Sequence, residues 1–131
     1  QSKDVVVMDM EAGIEHLGRG TAQGVDAFIV VVEPGERSLQ TYRKVKKLGK
    51  DIGVQRVFVV GNKMRDDEDI EFIKSNLEDG EALGFVHYNQ SVIDSDRANQ
   101  SPYDVSEETR NEIRAIKNRL LEIEAENKRN K

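Results

Sequence analysis

Blocks of consecutive apolar, β-branched residues recur along the chain, each closed by a turn-forming or charged residue. They are Val5 to Met8, Ala27 to Val32, Val57 to Val60 and, more weakly, Leu83 to Val86. Asp9, Glu33-Pro34-Gly35 and Gly61-Asn62-Lys63 close the first three. Runs that are continuously apolar rather than alternating predict strands covered on both faces, as in a parallel sheet. Between the blocks the apolar period lengthens to three and four residues. Leu39, Tyr42, Val45 and Leu48 predict one helix, with Ser38 as N-cap and Gly49 or Gly53 at its end. Ile70, Ile73 and Leu77 predict a shorter helix starting near Asp66 or Asp67. Strand and helix alternate about every 25 residues, the signature of right-handed βαβ units. The stretch from Leu83 to Asp96 reads as the weak strand followed by a loop.

The last segment differs in period. Ser101-Pro102 breaks the chain, Ser106 offers an N-cap, and Glu107-Glu108 suit the positive end of a helix. Ile113, Ile116, Leu120 and Ile123 then mark a narrow apolar stripe on a helix of about five turns. Fewer than three heptads are present, so the stripe is expected to pack on the sheet rather than seam a coiled coil. The division expected is residues 1–103 as the body of one α/β domain and 104–131 as its closing amphipathic helix.

Composition narrows the function. The 131 residues carry a formal charge of −5, which disfavours a nucleic-acid partner. The basic cluster from Arg43 to Lys50 reads as the solvated face of a helix, with a polyanion patch as the other reading. There is no cysteine, hence no disulfide and no thiolate metal ligand in these residues. Apolar runs of about six residues fall far short of the roughly 20 needed to cross a bilayer, and no membrane partner is expected. No basic-then-apolar segment opens the sequence, so a cytoplasmic location is expected.

Candidate chemistry gathers where the strands end, because ligands of open parallel sheets sit at the carboxyl edge. Asp9 closes the first apolar block and Gly13 follows four residues on. A carboxylate on a strand tip can hold the water shell of Mg2+, and a glycine lets a backbone N–H approach a phosphate. A plain turn or cap residue is the other reading of Asp9. Asn62 can offer an amide donor and acceptor to a purine edge; it also reads as a turn former after Gly61. Lys63 stands beside it, and His87, Tyr88 and Asn89 follow the fourth block. His16 by itself reads as a solvated or capping residue rather than a ligand.

The run Asp9-Met10-Glu11-Ala12-Gly13-Ile14-Glu15-His16-Leu17-Gly18-Arg19-Gly20-Thr21 resembles the switch II segment of the CooC-type accessory ATPases of carbon monoxide dehydrogenase. These are similar in turn to the MinD, ParA and nitrogenase iron proteins, a deviant P-loop group. Val32-Glu33-Pro34 with Arg37-Ser38-Leu39, and Gly61-Asn62-Lys63, also resemble that group. The likeness implies a partial P-loop NTPase fold, Rossmann-like, with a mostly parallel sheet flanked by helices. It implies ATP or ADP with Mg2+ as cofactors and a homodimer in the full-length form. It further implies nickel insertion for a carbon monoxide dehydrogenase-like client. By the same likeness Asp9 holds Mg2+ through water and Gly13 senses the γ-phosphate. Asn62 bonds adenine and the stem of Lys63 covers the ring. His87, Tyr88 and Asn89 lie near the base, mostly through backbone groups.

The sequence departs from the family pattern in three places. No Gly-Lys-Ser/Thr phosphate loop occurs, the Cys-x-Cys nickel motif is absent, and His87 stands where a proline is common. A chain starting about halfway along such a protein, without its P-loop strand, is the expectation that follows. Negligible ATPase activity by these residues alone follows with it, because phosphoryl transfer rests on positioning and neutralising the phosphates. Two other readings stay open at this point. One is a partition or positioning ATPase like MinD or ParA, which the mixed charge of the tail disfavours as a membrane binder. The other is a non-enzymatic receiver-like regulatory module, which would need an acceptor Asp where Glu33 stands.

Overall fold

The computed structural model describes residues 26–54 and 56–129. The expected first strand, Asp9, Gly13 and His16 lie outside them. Three strands form one parallel sheet in the order β1 (Phe28–Val32), β2 (Val57–Met64), β3 (Ala82–His87). Helix α1 (Glu36–Ile52) connects β1 to β2 and α2 (Asp67–Lys74) connects β2 to β3. The chain closes with α3 (Gln90–Arg97), the single turn α4 (Pro102–Val105) and the long α5 (Glu107–Arg129). This is the parallel α/β layering that the alternation of periods predicts, and it matches the partial Rossmann-like P-loop NTPase fold that the resemblance implies.

One face of the sheet is covered by α1. Phe28, Val30 and Val32 of β1 point to it with Val57 and Val59 of β2, and they pack on Leu39, Tyr42 and Val45. Leu39, Val32 and Val59 are fully buried. A side chain at Gly61 would run into the Phe85 ring, so the glycine is what lets β3 pack over β2 here. Tyr42 binds the Glu81 carboxylate at the entry to β3, and Lys46 pairs with the same group at 2.8 Å. Burial, then the Glu81 hydrogen bond, pushes the Tyr42 phenol up to about 12.

The other face is covered by α5, which lies along β3. Gly84 is the contact point: a Cβ there would stand 2.6 Å from Ile116 Cγ1. The stripe therefore packs on the sheet as expected, but with a rotated face. Ile116, Leu120 and Ile123 are partly buried together with Glu112, whereas Ile113 is 38% exposed. The expectation that every strand is covered on both faces needs correcting for β1. It alternates buried and exposed, with Ile29 and Val31 at 43% and 61% exposure, because α5 lies over the far side of the sheet.

Several element ends also differ from the sequence reading. Helix α1 begins at Glu36, with Gly35 at the N-cap and φ of 149°. Ser38 is thus inside the helix, where its hydroxyl accepts from the Glu33 amide at 3.1 Å. Gly53, at φ 93°, ends α1 in a Schellman arrangement: Val54 N–H reaches the Gly49 carbonyl at 2.7 Å and Gly53 N–H that of Lys50. Gly49, buried in the last turn of α1, has no room for a side chain, since a Cβ would sit 2.8 Å from the Val54 carbonyl oxygen. Asp66 caps α2 by accepting from the Asp69 amide at 3.0 Å, and Ser106 caps α5 by accepting from the Thr109 amide at 3.1 Å. The segment read as a loop up to Asp96 holds α3, whose N-cap is Asn89.

Candidate functional site

Because all three strands run parallel, their carboxyl ends share one edge. Glu33 follows β1, Asn62 and Lys63 lie near the carboxyl end of β2, and His87, Tyr88 and Asn89 end or follow β3. The sequence-predicted residues within the described part are therefore brought together at one rim. Asp9 and Gly13 fall outside it.

Asn62 and Lys63 occupy a break in the pairing of β2 with β3, between Gly61 opposite Phe85 and Met64 opposite His87. Lys63 has φ of 59°, a left-handed conformation that costs a side-chain-bearing residue roughly 1–2 kcal/mol. The positive φ thus falls at Lys63, one residue after the Asn62 that reads as a turn former. The Asn62 amide oxygen accepts from the Lys63 N–H at 3.0 Å and holds this kink. Irregularities of this kind concentrate where a strand re-aims a side chain. Here it is the lysine: its Nζ lies 3.9 Å from the Glu33 carboxylate and 5.9 Å from the centre of the Tyr88 ring. Lys63 therefore ties the tips of all three strands, with an ion pair on one side and a cation–π contact on the other.

The three residues after β3 have partners of their own. The Tyr88 amide donates to the Met64 carbonyl at 2.8 Å, which prolongs the β2–β3 pairing and leaves the Tyr88 ring facing Lys63. Asn89 accepts from the Val92 amide at 3.0 Å, and its side-chain NH2 donates to Glu108 at 3.0 Å. His87 turns to α5: its amide donates to Glu112 at 3.1 Å, and its Nδ1 meets the other Glu112 oxygen at 2.5 Å. The Glu112 hydrogen bond holds the imidazole pKa above its ordinary value against a burial effect, and the charges of Glu108 and Asp67 add to it. Backbone N–H groups of His87 and Tyr88 are thus already engaged, while the Tyr88 ring stands beside Lys63.

Glu108 and Glu112 are the site residues that sequence reasoning missed. They sit four apart on α5, a spacing that puts two side chains on one helix face. Only the docking of that face on β3 reveals that the face meets His87.

Among the described residues no helix is long and apolar enough to cross a membrane. No family model matches the chain. Curated proteins do match. The carbon monoxide dehydrogenase accessory protein CooC of Rhodospirillum rubrum is 38% identical over 120 residues, covering 92% of this chain and 46% of that protein. An uncharacterized ATP-binding protein of Methanocaldococcus jannaschii is 39% identical over 123 residues, covering 92% and 47%. A second such protein of the same organism is 32% identical over 93 residues, 71% of this chain and 36% of the relative. The chain spans about half the length, or less, of the relatives it matches. The parallel α/β sheet and this similarity along nearly its whole length mark the chain as a relative of the CooC-type accessory protein and of ATP-binding proteins, matching about half of their length.

Proposed function

We propose that the rim formed by Asn62, Lys63 and Tyr88 is the adenine end of an ATP-binding site in a switch ATPase. Lys63 carries the reading: a strained lysine at a strand break, placed between the Glu33 carboxylate and the Tyr88 ring, is a costly arrangement that a nucleotide base would use. A purine is flat and bears both donors and acceptors at its edge. Tyr88 and the methylene stem of Lys63 offer apolar cover for such a ring, and the Asn62 side-chain amide offers hydrogen bonds at its rim. The residues present therefore fit the base.

The remainder of the site is proposed on the resemblance carried by Asp9 to Thr21. Asp9 is proposed to hold Mg2+ through water, and Gly13 to present its N–H to the terminal phosphate. Mg2+ supplies charge neutralisation for the transferred phosphoryl group. The phosphate loop is proposed to lie in a part of the full-length protein beyond these 131 residues, which alone are expected to hydrolyse no ATP. The full-length form is proposed to dimerise and to assist nickel insertion into carbon monoxide dehydrogenase or a related client, in the cytoplasm. Both proposals draw on similarity to CooC.

Calorimetric titration of the full-length protein with MgADP and MgGDP tests the adenine reading. ADP is expected to bind more tightly than GDP, and Asn62→Ala to weaken ADP about tenfold, which is about 1.4 kcal/mol. An ADP affinity unchanged by Asn62→Ala and by Lys63→Ala would overturn it.

A further inference from the structure

The tip of β3 carries a second constellation, distinct from the Asn62–Lys63–Tyr88 rim. One ring nitrogen of His87 and one carboxylate oxygen each from Glu108 and Glu112 lie within 4.8 Å of one another. The set is a mixed one, an imidazole from the sheet and two carboxylates from the helix packed against it. His87 and Glu112 are half-buried and Glu108 is exposed, so the cluster is open to solvent on one side.

We propose that His87, Glu108 and Glu112 bind a divalent first-row transition-metal cation that staples α5 to the end of β3. Four features support the assignment. Two glutamates four apart on a helix present their carboxylates to the same point, and a histidine on the facing strand completes a three-ligand set. Donors bound at about 2.1 Å in tetrahedral geometry stand about 3.4 Å apart. His87 Nδ1 stands 2.5 Å from Glu112, and each of the three residues offers a donor within 4.8 Å of the others, a set of the size that one ion needs. Glu108 is exposed and Glu112 half-buried, which leaves their side chains room to rotate toward it. Glu108 is already oriented by the Asn89 side-chain amide at 3.0 Å, and Glu112 by the His87 backbone N–H at 3.1 Å. Such outer contacts are what hold ligand carboxylates in place.

The ligand types select the ion. Imidazole nitrogen suits Zn2+, Co2+ or Ni2+, whereas Mg2+ and Ca2+ prefer oxygen alone. Three protein ligands leave one or more positions to water, so the ion is exchangeable rather than sealed in. Binding replaces the proton shared by His87 and Glu112 with the cation. The inference does not depend on the nucleotide reading, since none of its three ligands is among the groups proposed to touch the base through their side chains.

Titration of the metal-free protein with Co2+, followed by visible absorption, tests it. One equivalent is expected to raise ligand-field bands that Zn2+ abolishes and excess Mg2+ does not. His87→Gln, Glu112→Gln and Glu108→Gln are each expected to weaken Co2+ at least about tenfold. His16→Gln, the other histidine of the chain, is expected to leave it unchanged. Glu108 is exposed, so Glu108→Gln keeps the test decisive even where a change at the β3 tip impairs folding. Absence of the bands would overturn the proposal. So would binding that survives all three substitutions, or binding that is lost with His16→Gln.

Discussion

Replacing Gly84 by alanine tests how the site is held together. The added Cβ would stand 2.6 Å from Ile116 Cγ1, about 1 Å inside ordinary van der Waals contact. Ile116 is β-branched and mid-helix, so χ1 has little freedom to swing the γ carbon away. The strain has to be taken up by α5 moving off β3. Overpacking of this kind costs typically about 1–3 kcal/mol. The same movement pulls Glu112 from His87, whose contact is only 2.5 Å, and separates the tip of β3 from the helix that buttresses it. Urea denaturation followed by circular dichroism reads the cost as a lowered midpoint at constant slope. Ile116→Ala removes the obstructing carbon at a cost of its own. Combined with Gly84→Ala it is expected to lose less than the sum of the two, with a coupling of about 1 kcal/mol or more. A Gly84→Ala protein within about 0.5 kcal/mol of the parent, or strict additivity with Ile116→Ala, would refute this account of helix docking.

Other outcomes follow from the same coordinates. Leu39→Ala empties a fully buried position under the sheet and is expected to cost about 2–5 kcal/mol in the same assay. Lys63→Gly relieves the left-handed strain and is expected to stabilise the fold by about 0.5–1 kcal/mol while weakening ADP binding in calorimetry. A loss of both stability and affinity would contradict the reading of Lys63 as a strained functional residue. The raised His87 pKa gives a pH dependence with a definite sign. A group whose folded pKa lies above its unfolded value stabilises fully below the unfolded pKa, 6.5 for this imidazole, and loses that contribution as pH rises through the folded value. The urea midpoint is therefore expected to fall from pH 6 to pH 8 more steeply in the parent than in His87→Gln, to about the extent of that one contribution.

The sequence was informative where a local pattern decides the local structure. The apolar blocks at Ala27 to Val32 and Val57 to Val60, the Gly53 stop and the Ser106 cap each need only neighbouring residues, and each sits within a few positions of its expected place. Ser38 misled because its hydroxyl looks like a helix cap yet serves the Glu33 amide from inside the first turn. Helix α3 was illegible because it is short and polar: of its eight residues only Val92 and Ser95 are buried. The site was half legible. Asn62 and Lys63 lie near the end of β2 and Tyr88 just after β3, so they could be named from position, whereas the strained φ of Lys63 and its two contacts belong to the strand break. Glu108 and Glu112 were hidden by their type, since glutamates on an exposed helix face are ordinary until the helix is docked. Of the expected stripe, Ile116, Leu120 and Ile123 turn to the sheet, and Glu112 does so in place of Ile113.

Photolabelling the full-length protein with an azido-adenine nucleotide locates the base most directly. Illumination with bound Mg2+ and 2-azido-ATP, then peptide mapping by mass spectrometry, should place the adduct on the end of β2 or on Tyr88, with protection by unlabelled ATP. Adducts confined elsewhere, for instance to the basic face of α1 from Arg43 to Lys50, would contradict the claim that these strand tips receive adenine.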